Sequence, residues 1–482
     1  MAFTAKPQRI RDPLHNLIEF DTRQFERMIW QVIQTRPFQR LRRVRQLGFS
    51  ELVYPGATHT RFAHSIGVFH TARRLMTLIE RHLGDQFQGH QAHVAMAAAL
   101  VHDVGHGMFS HAFEGIGKTL KLPMAHHEAV SDLLIRDSEI SEAFRKEFGS
   151  GFANDVADVI KRGPGNLYDA VVSSQFDADR LDYMQRDRLM TGVRNSAIDF
   201  DWLVANLEVG TVTHGVDEEA LREIETFVVG PKALHAAETY VLGLFQLYPN
   251  VYLHKTTRAA EKVFSLLLLR VIELAQAGHV AKTGLSDRHP IVRFALDPNS
   301  LPRAQSLDDT VFWGALSMLA EAEDAAIREN ALRLSERRLP KCVDIRNAMI
   351  AAMRIDRAKP STKEEKDEVE KGLERAVLTV GQRLKEWSDT KSTGTPRILI
   401  DQDSRGAYKR VQESKGPLNQ LRIRAADGRI LDMAEISPVV AGIEKFKLFR
   451  AYYGEQDVEA KTVIDSIIQE ECGRRDHDPS EA

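Results

Sequence analysis

The chain has 482 residues, 43% hydrophobic and 28% charged, with a net charge of −3; this is a globular composition that excludes a globally basic surface for nucleic acid or anionic membrane. Cys342 and Cys472 are its only cysteines and have no paired spacing, which excludes a disulfide framework or a cysteine zinc site and points to a reducing, cytoplasmic setting. No long apolar stretch opens the chain, so no secretory leader is expected, and the longest apolar run, around residues 263–269, is far too short for a membrane span.

Residues 10–20 alternate apolar and polar and read as a short strand and turn. A helix is expected from about 24 to 35, and 38–47 reads as a second helix ended by Gly48. The second carries Arg40, Arg42, Arg43 and Arg45, which read either as a solvated basic face or as a site for nucleotide phosphates. After a loop at 54–60, residues 61–80 form a strongly amphipathic helix with Phe62, Ile66, Phe69, Met76 and Ile79 facing a core. His64 lies off that stripe, in the first turn and on the same face as Arg61. His70, in mid-helix, reads as structural.

The densest chemistry follows at 100–114, Leu-Val-His-Asp-Val-Gly-His-Gly-Met-Phe-Ser-His-Ala-Phe-Glu. His102 and Asp103 are adjacent at the end of an apolar helical run, and Gly105 and Gly107 let the chain turn. Imidazole and carboxylate both ligate divalent metals of intermediate softness. His111 and Glu114 stand three apart on a short helix, where the carboxylate can fix the imidazole tautomer and raise its basicity, making a proton-transfer pair. Residues 125–130 open another helix, and its His127 is a candidate for contact with an anion. Four aspartates occur in 174–188; on a helix Asp179, Tyr183 and Asp187 share a face, while Asp177, Asp182 and Arg186 read as structural ion-paired positions.

The remainder reads as mostly helical. Helices at 232–247 and 251–277 are interrupted by Pro249, 283–306 is a connector, and 308–333 and 363–388 are further helices. Residues 396–401 and 421–431 alternate as strands, the latter a hairpin around Asp427 and Gly428. The expected fold class is mainly α. It comprises an N-terminal strand and helix segment (1–55), a helical-bundle core (56–278), a helical C-terminal region (279–390), a small α/β lobe (391–470) and a disordered polar tail (471–482).

His64, the pair His102 and Asp103, and Asp179 reproduce the H…HD…D pattern of the HD-domain metal-dependent phosphohydrolases, which the chain resembles. Asp12-Pro-Leu-His15, Phe38-Gln-Arg-Leu-Arg42, Gln46-Leu-Gly48, Pro55-Gly-Ala-Thr-His-Thr-Arg-Phe-Ala-His64, His102-Asp-Val-Gly-His-Gly-Met-Phe-Ser-His111 and Asp177-Ala-Asp-Arg-Leu-Asp-Tyr-Met-Gln-Arg-Asp187 are similar to the deoxynucleoside triphosphate triphosphohydrolases that combine SAM and HD domains, and to their bacterial relatives. Val251-Tyr-Leu-His-Lys-Thr-Thr-Arg258 resembles that family's phosphate-contacting helix. The resemblance spans about 9–460 and makes 56–278 the HD phosphohydrolase core. It implies one divalent ion (Mn, Fe, Zn, Ni or Mg) on His64, His102, Asp103 and Asp179. The reaction it implies is hydrolysis of a deoxynucleoside triphosphate to deoxynucleoside and triphosphate. His111, supported by Glu114, then protonates the departing 5′ oxygen, and His106 and His127 contact the α-phosphate. Arg61, Lys255 and His254 hold the outer phosphates; Gln46, Tyr183 and Asp187 read the deoxyribose, and Tyr252 joins the substrate-binding set.

The partners implied are a deoxynucleotide substrate, an allosteric nucleotide, further copies of the chain in a tetramer or hexamer, and weakly bound nucleic acid, with no membrane. Departures from the family are Gln34, where relatives carry an acidic residue of the allosteric site although Gln39 and Arg42 match; Arg180, where they carry lysine; and Leu244 and Tyr248, where they carry basic phosphate contacts. They leave room for HD-type hydrolysis of another nucleotide (a monophosphate, an alarmone or a cyclic dinucleotide), or for a non-catalytic HD protein that binds nucleotide or nucleic acid. The intact metal set and the pair His111 and Glu114 favour the enzyme; the arginine cluster alone supports the binder.

Overall fold

The computed structural model describes residues 6–162, 165–194, 197–214, 222–353, 355, 362–392, 394–408 and 420–475. Among them are 21 α-helices and nine short strands, so the fold is mainly α, as expected. The chain groups into two compact units, one of 1–252, 287–315 and 406–444, the other of 253–286, 316–405 and 445–482.

The first unit opens with β1 (Gln8–Asp12) and β2 (Asn16–Phe20), an antiparallel hairpin. Its turn is tied by Asp12, whose Oδ1 accepts from the backbone N–H of Leu14 and of His15, each at 2.9 Å. α1 (Gln24–Gln34) buries Phe25, Met28, Ile29, Val32 and Ile33. The helix expected over 38–47 is shorter: α2 (Arg36–Arg40) runs into a 3₁₀ turn at Leu41–Arg43, and Val44 is extended. Tertiary bonding overrides helix propensity there, because the Arg45 N–H is taken by the buried Asp309 rather than by a helical carbonyl. The arginines are not a free basic face either. Arg40 is buried and donates to the carbonyls of Leu307, Val104 and His106; Arg42 stacks on Phe62; Arg43 pairs with Asp308; Arg45 reaches Thr58 and Glu51.

The body of this unit is α3 (Arg61–Leu83), α4 (Gly89–Val101), α5 (His111–Leu120), α6 (His127–Arg136), α7 (Glu139–Phe148), α8 (Phe152–Arg162) and α9 (Ala178–Thr191). One apolar cluster packs β2, α1 and one side of α3 and α4 through Phe20, Phe69, Leu100 and Phe144. A second packs the other side of α3 against α9 and the helix Leu234–Leu247 through Leu75, Leu181 and Tyr240. α3 and α9 approach closely at Gly67, where any Cβ would collide with the side chains of Asp182 and Arg186. A four-stranded sheet, Leu207–His214, Arg222–Val229, Arg422–Arg424 and Ile430–Asp432, completes the unit, and the hairpin expected around Gly428 forms its edge.

The second unit is built on the long helices Lys255–Gln276 and Lys363–Lys391 and a three-stranded sheet of Lys341–Asp344, Phe446–Tyr453 and Ile398–Arg405. The strands read together within 391–470 are therefore divided between two sheets. The helix read as 251–277 begins at Lys255, after a π-turn at Tyr248–Tyr252 that contains Pro249. The connector 283–306 holds two short helices, and 308–333 is broken into Asp309–Leu319 and Ala325–Ser335. Of the expected tail 471–482, the first part continues the helix Val458–Arg475 and the rest lies outside the described residues. Among the described residues no helix is long and apolar enough to cross a membrane.

Candidate metal centre

Three elements bring together the four side chains singled out as metal ligands. α3 presents His64 from its first turn, the C-terminal end of α4 presents His102 and Asp103, and α9 presents Asp179 from its first turn. His64 Nε2 lies 2.9 Å from Asp179 Oδ1 and 3.8 Å from Asp103 Oδ2; His102 Nε2 lies 3.3 Å from Asp103 Oδ1 and 3.6 Å from Asp179 Oδ1. Donors around an ion with bonds of about 2.0–2.2 Å stand roughly 3–3.5 Å apart; His64, His102 and Asp103 form a group whose ligand atoms all lie within 4.8 Å of one another, and Asp179 stands beside its two histidines.

The hydrogen bonds decide where the lone pairs face. His102 Nδ1 must carry a proton, because it donates to the Ala99 carbonyl at 2.9 Å. Its Nε2 is then a bare acceptor, buried and without a hydrogen-bond partner, with two carboxylates beside it. That arrangement is repulsive unless a cation or a proton lies between them. The residues thus fit the divalent ion that the donor set implies, and imidazole with carboxylate leaves its identity open. His64 is oriented from behind: its Nδ1 donates to Asp182 Oδ2 at 2.9 Å. Asp182 is wholly buried and also receives His15 Nε2 at 2.7 Å and Arg186 Nε at 2.8 Å, while Arg186 reaches on to Asp12 at 2.8 Å. A carboxylate behind a ligating histidine fixes its tautomer and raises its basicity.

The electrostatics follow the geometry. Burial opposes charge on His64, but the hydrogen bonds to Asp179 and Asp182 outweigh it and lift the imidazole to about 10. Burial also opposes the Asp103 carboxylate, yet Arg61, His102 and His106 hold it well below the usual carboxylate range. Asp179 is likewise lowered, against burial, by the neighbouring imidazoles of His102 and His64. His64 is sealed at 0% side-chain exposure, whereas Asp179 is 37% exposed and marks the open side of the centre.

The turn between Asp103 and α5 carries the remaining histidines. Gly105 lets it lie on the first turn of α6, since a Cβ there would strike the backbone of His127 and Ser131. His106 is buried, stacks on His127 at 4.0 Å between ring centroids, and is held neutral by burial and by Arg61. Glu114 binds two imidazoles, His111 Nδ1 at 3.2 Å and His127 Nδ1. These bonds overcome its burial and keep it ionised. His111 itself is 76% exposed.

The residues assigned to substrate are placed unevenly. Arg61 is buried, donates from Nε to Ser110 Oγ at 2.8 Å and pairs with Asp103. Gln46 keeps a buried amide oxygen without a partner. Tyr183 and Tyr252 meet edge to face at 6.1 Å. Asp187 is buried with both oxygens taken, one by His59 Nε2 at 2.8 Å and one by the Tyr252 hydroxyl at 2.9 Å. His254 and Lys255 belong to the second unit, where His254 caps the helix that Lys255 begins. Sequence reading missed Asp12, His15, Asp182 and Arg186 as support for His64, and His59 as the partner of Asp187.

The HD domain family matches residues 61–184, which include His64, His102, Asp103 and Asp179. YwfO of Bacillus subtilis, an uncharacterized protein, is 32% identical over 341 residues, 69% of this chain and 71% of its own. The deoxynucleoside triphosphate triphosphohydrolase SAMHD1 of Xenopus laevis is 32% identical over 223 residues, 38% of this chain but 34% of that protein, so the chain spans about a third of that relative. Among solved structures, a phosphohydrolase from Bacteroides thetaiotaomicron has a TM-score of 0.67 at 25% identity, over 93% of this chain and 100% of that one. A hypothetical protein from Aquifex aeolicus shares the fold with a TM-score of 0.65 at 23% identity, over 95% of this chain and 100% of that one. The centre and these likenesses together define a hydrolase of the metal-dependent kind. The chain belongs to the HD-domain phosphohydrolases and is related to the SAMHD1-type dNTPases.

Proposed function

We propose that the protein hydrolyses deoxynucleoside triphosphates to deoxynucleoside and triphosphate. The observation that carries this reading is the pairing of His111 with the buried Glu114 on the turn that leaves the four-ligand centre. His64, His102, Asp103 and Asp179 would hold a divalent ion, which would supply a Lewis acid and make water more acidic. Glu114, kept ionised, holds His111 by Nδ1 and leaves Nε2 to deliver a proton to the 5′ oxygen. That proton completes the deoxynucleoside as the phosphorus–O5′ bond breaks and the oxygen of water joins the phosphorus. His106 and His127 stand beside the reacting phosphate. Arg61 is proposed for the outer phosphates. Gln46 and Tyr183 read the sugar, while Asp187 acts by holding Tyr252 in place. We propose further that the chain is cytoplasmic and works as a homo-oligomer, a tetramer or hexamer; a concentration-independent monomer in light scattering would refute the assembly.

A shorter-chain nucleotide is the second reading. Leu244 is buried in the apolar core and Tyr248 begins the π-turn, at two positions where relatives place basic phosphate contacts. One experiment separates the two: the purified protein is given Mn or Fe and each deoxynucleotide, alone and mixed, and the products are identified. Release of inorganic triphosphate supports the proposal; release of single phosphates, or of none from a broad nucleotide panel, overturns it.

A further inference from the structure

We propose that Asp309 is a positioning residue for His111: its buried carboxylate, seated on two backbone N–H groups, locks the turn from which His111 springs. Asp309 Oδ1 accepts from the Phe109 N–H at 2.8 Å and Oδ2 from the Arg45 N–H at 2.7 Å. One side chain thereby ties together two stretches 64 residues apart, both in the first unit. The turn needs such a lock. Phe109 and Ser110 have φ of 50° and 51°, a conformation that L-residues avoid and that persists only where surroundings impose it. Those surroundings are named contacts: Phe109 stacks on Phe49 at 4.0 Å, Arg61 donates to Ser110 Oγ, and Arg40 holds the carbonyls of Val104 and His106. Of these, Asp309 is the contact that binds the backbone within the left-handed pair itself, one residue before Ser110 and two before His111.

The role does not reduce to helix capping. Asp309 begins its own helix, but the cap is made by Asp308, whose Oδ1 accepts from Val311 N at 3.1 Å and whose Oδ2 pairs with Arg43. The charged groups around Asp309 are Asp308, Arg40, Arg43 and Arg45, and it makes no direct ion pair with a guanidinium among the described contacts. Burial pushes its carboxyl up to about 7, with the two backbone donors opposing. A protonated oxygen becomes a donor facing an N–H, so one arm of the lock opens as pH falls through that value.

The inference rests on His111 as proton donor, and its test keeps the two apart. Full-length wild type, Asp309→Asn and Asp309→Ala are compared by Mn content, by hydrogen exchange of peptides covering 44–47 and 107–112, and by kinetics on a deoxynucleoside triphosphate and on a nitrophenyl phosphodiester, whose leaving group needs no proton. The expected result is unchanged metal, faster exchange confined to the two segments, and kcat on the nucleotide lower by about 10–100-fold with KM little changed and the nitrophenyl ester spared. Wild type alone should show intrinsically corrected exchange in 44–47 or 107–112 rising as pH falls from 8 to 6, a measurement that needs no variant to fold. Exchange unchanged in both segments, or an equal fall on both substrates, overturns the lock. If wild type releases no triphosphate, the function fails, and the exchange result still decides the lock by itself.

Discussion

Two histidine–carboxylate pairs, His64 with Asp182 and His111 with Glu114, use the same groups at nearly the same spacing, 2.9 and 3.2 Å. They differ in what surrounds them. His64 and Asp182 are sealed, and Asp182 is anchored further by His15 and Arg186. Glu114 is mostly buried, but the ring it holds is open to solvent. A sealed pair makes a rigid ligand of fixed tautomer; a pair with one open face makes a carrier that can take a proton and give it up. Environment, not residue type, divides the labour.

Breaking the centre itself should have the largest effect: His102→Ala with Asp103→Ala is expected to abolish both bound metal and turnover, read by elemental analysis and product assay. Glu114→Ala should cut turnover by roughly 10²–10⁴ with metal still bound. Loss of the metal in that variant would mean the open pair is structural after all. Asp182→Ala should behave in the opposite sense, lowering metal affinity about 10–100-fold. It also leaves Arg186 short of a partner in the interior, so a loss of roughly 3–5 kcal/mol in urea unfolding is expected. Unaltered affinity would show that His64 needs no support from behind.

The smallest effect is a pH dependence. His64 is raised to about 10, so below that pH the apoprotein carries a proton that the ion must displace. Affinity should therefore rise with pH up to about 10, and loading at pH 8 should release about one proton, seen by calorimetry in buffers of different ionisation heat. The sign for stability is reversed: in the apoprotein the raised His64 contributes fully below its unfolded value of about 6.5, and the contribution is lost as pH rises through about 10.

The helices that carry the centre were legible because amphipathic period and motif spacing are local. α3 and α9 form where the sequence pattern put them, with His64 and Asp179 in their first turns and 2.9 Å apart. What escaped is what acts across the chain. Asp182 looked like one more aspartate on a salt-bridged helix, and nothing within α9 says that its partners are His15, 167 residues away, and His64, 118 residues away. Asp309 looked like the start of an ordinary helix for the same reason. The helix drawn through 38–47 failed because propensity cannot see a buried carboxylate claiming the Arg45 N–H. The strands of 391–470 were recognisable one by one, but alternation does not tell a strand which sheet to join.

The hairpin of β1 and β2 has a practical corollary. Its turn supplies Asp12 and His15 to the far side of the metal pocket, although the recognisable family segment starts at Arg61. A laboratory fragment trimmed to that segment would keep every ligand and Asp182 yet lose His15, Asp12 and Arg186, which anchor Asp182 behind His64, and its poor metal retention would say nothing about the intact enzyme.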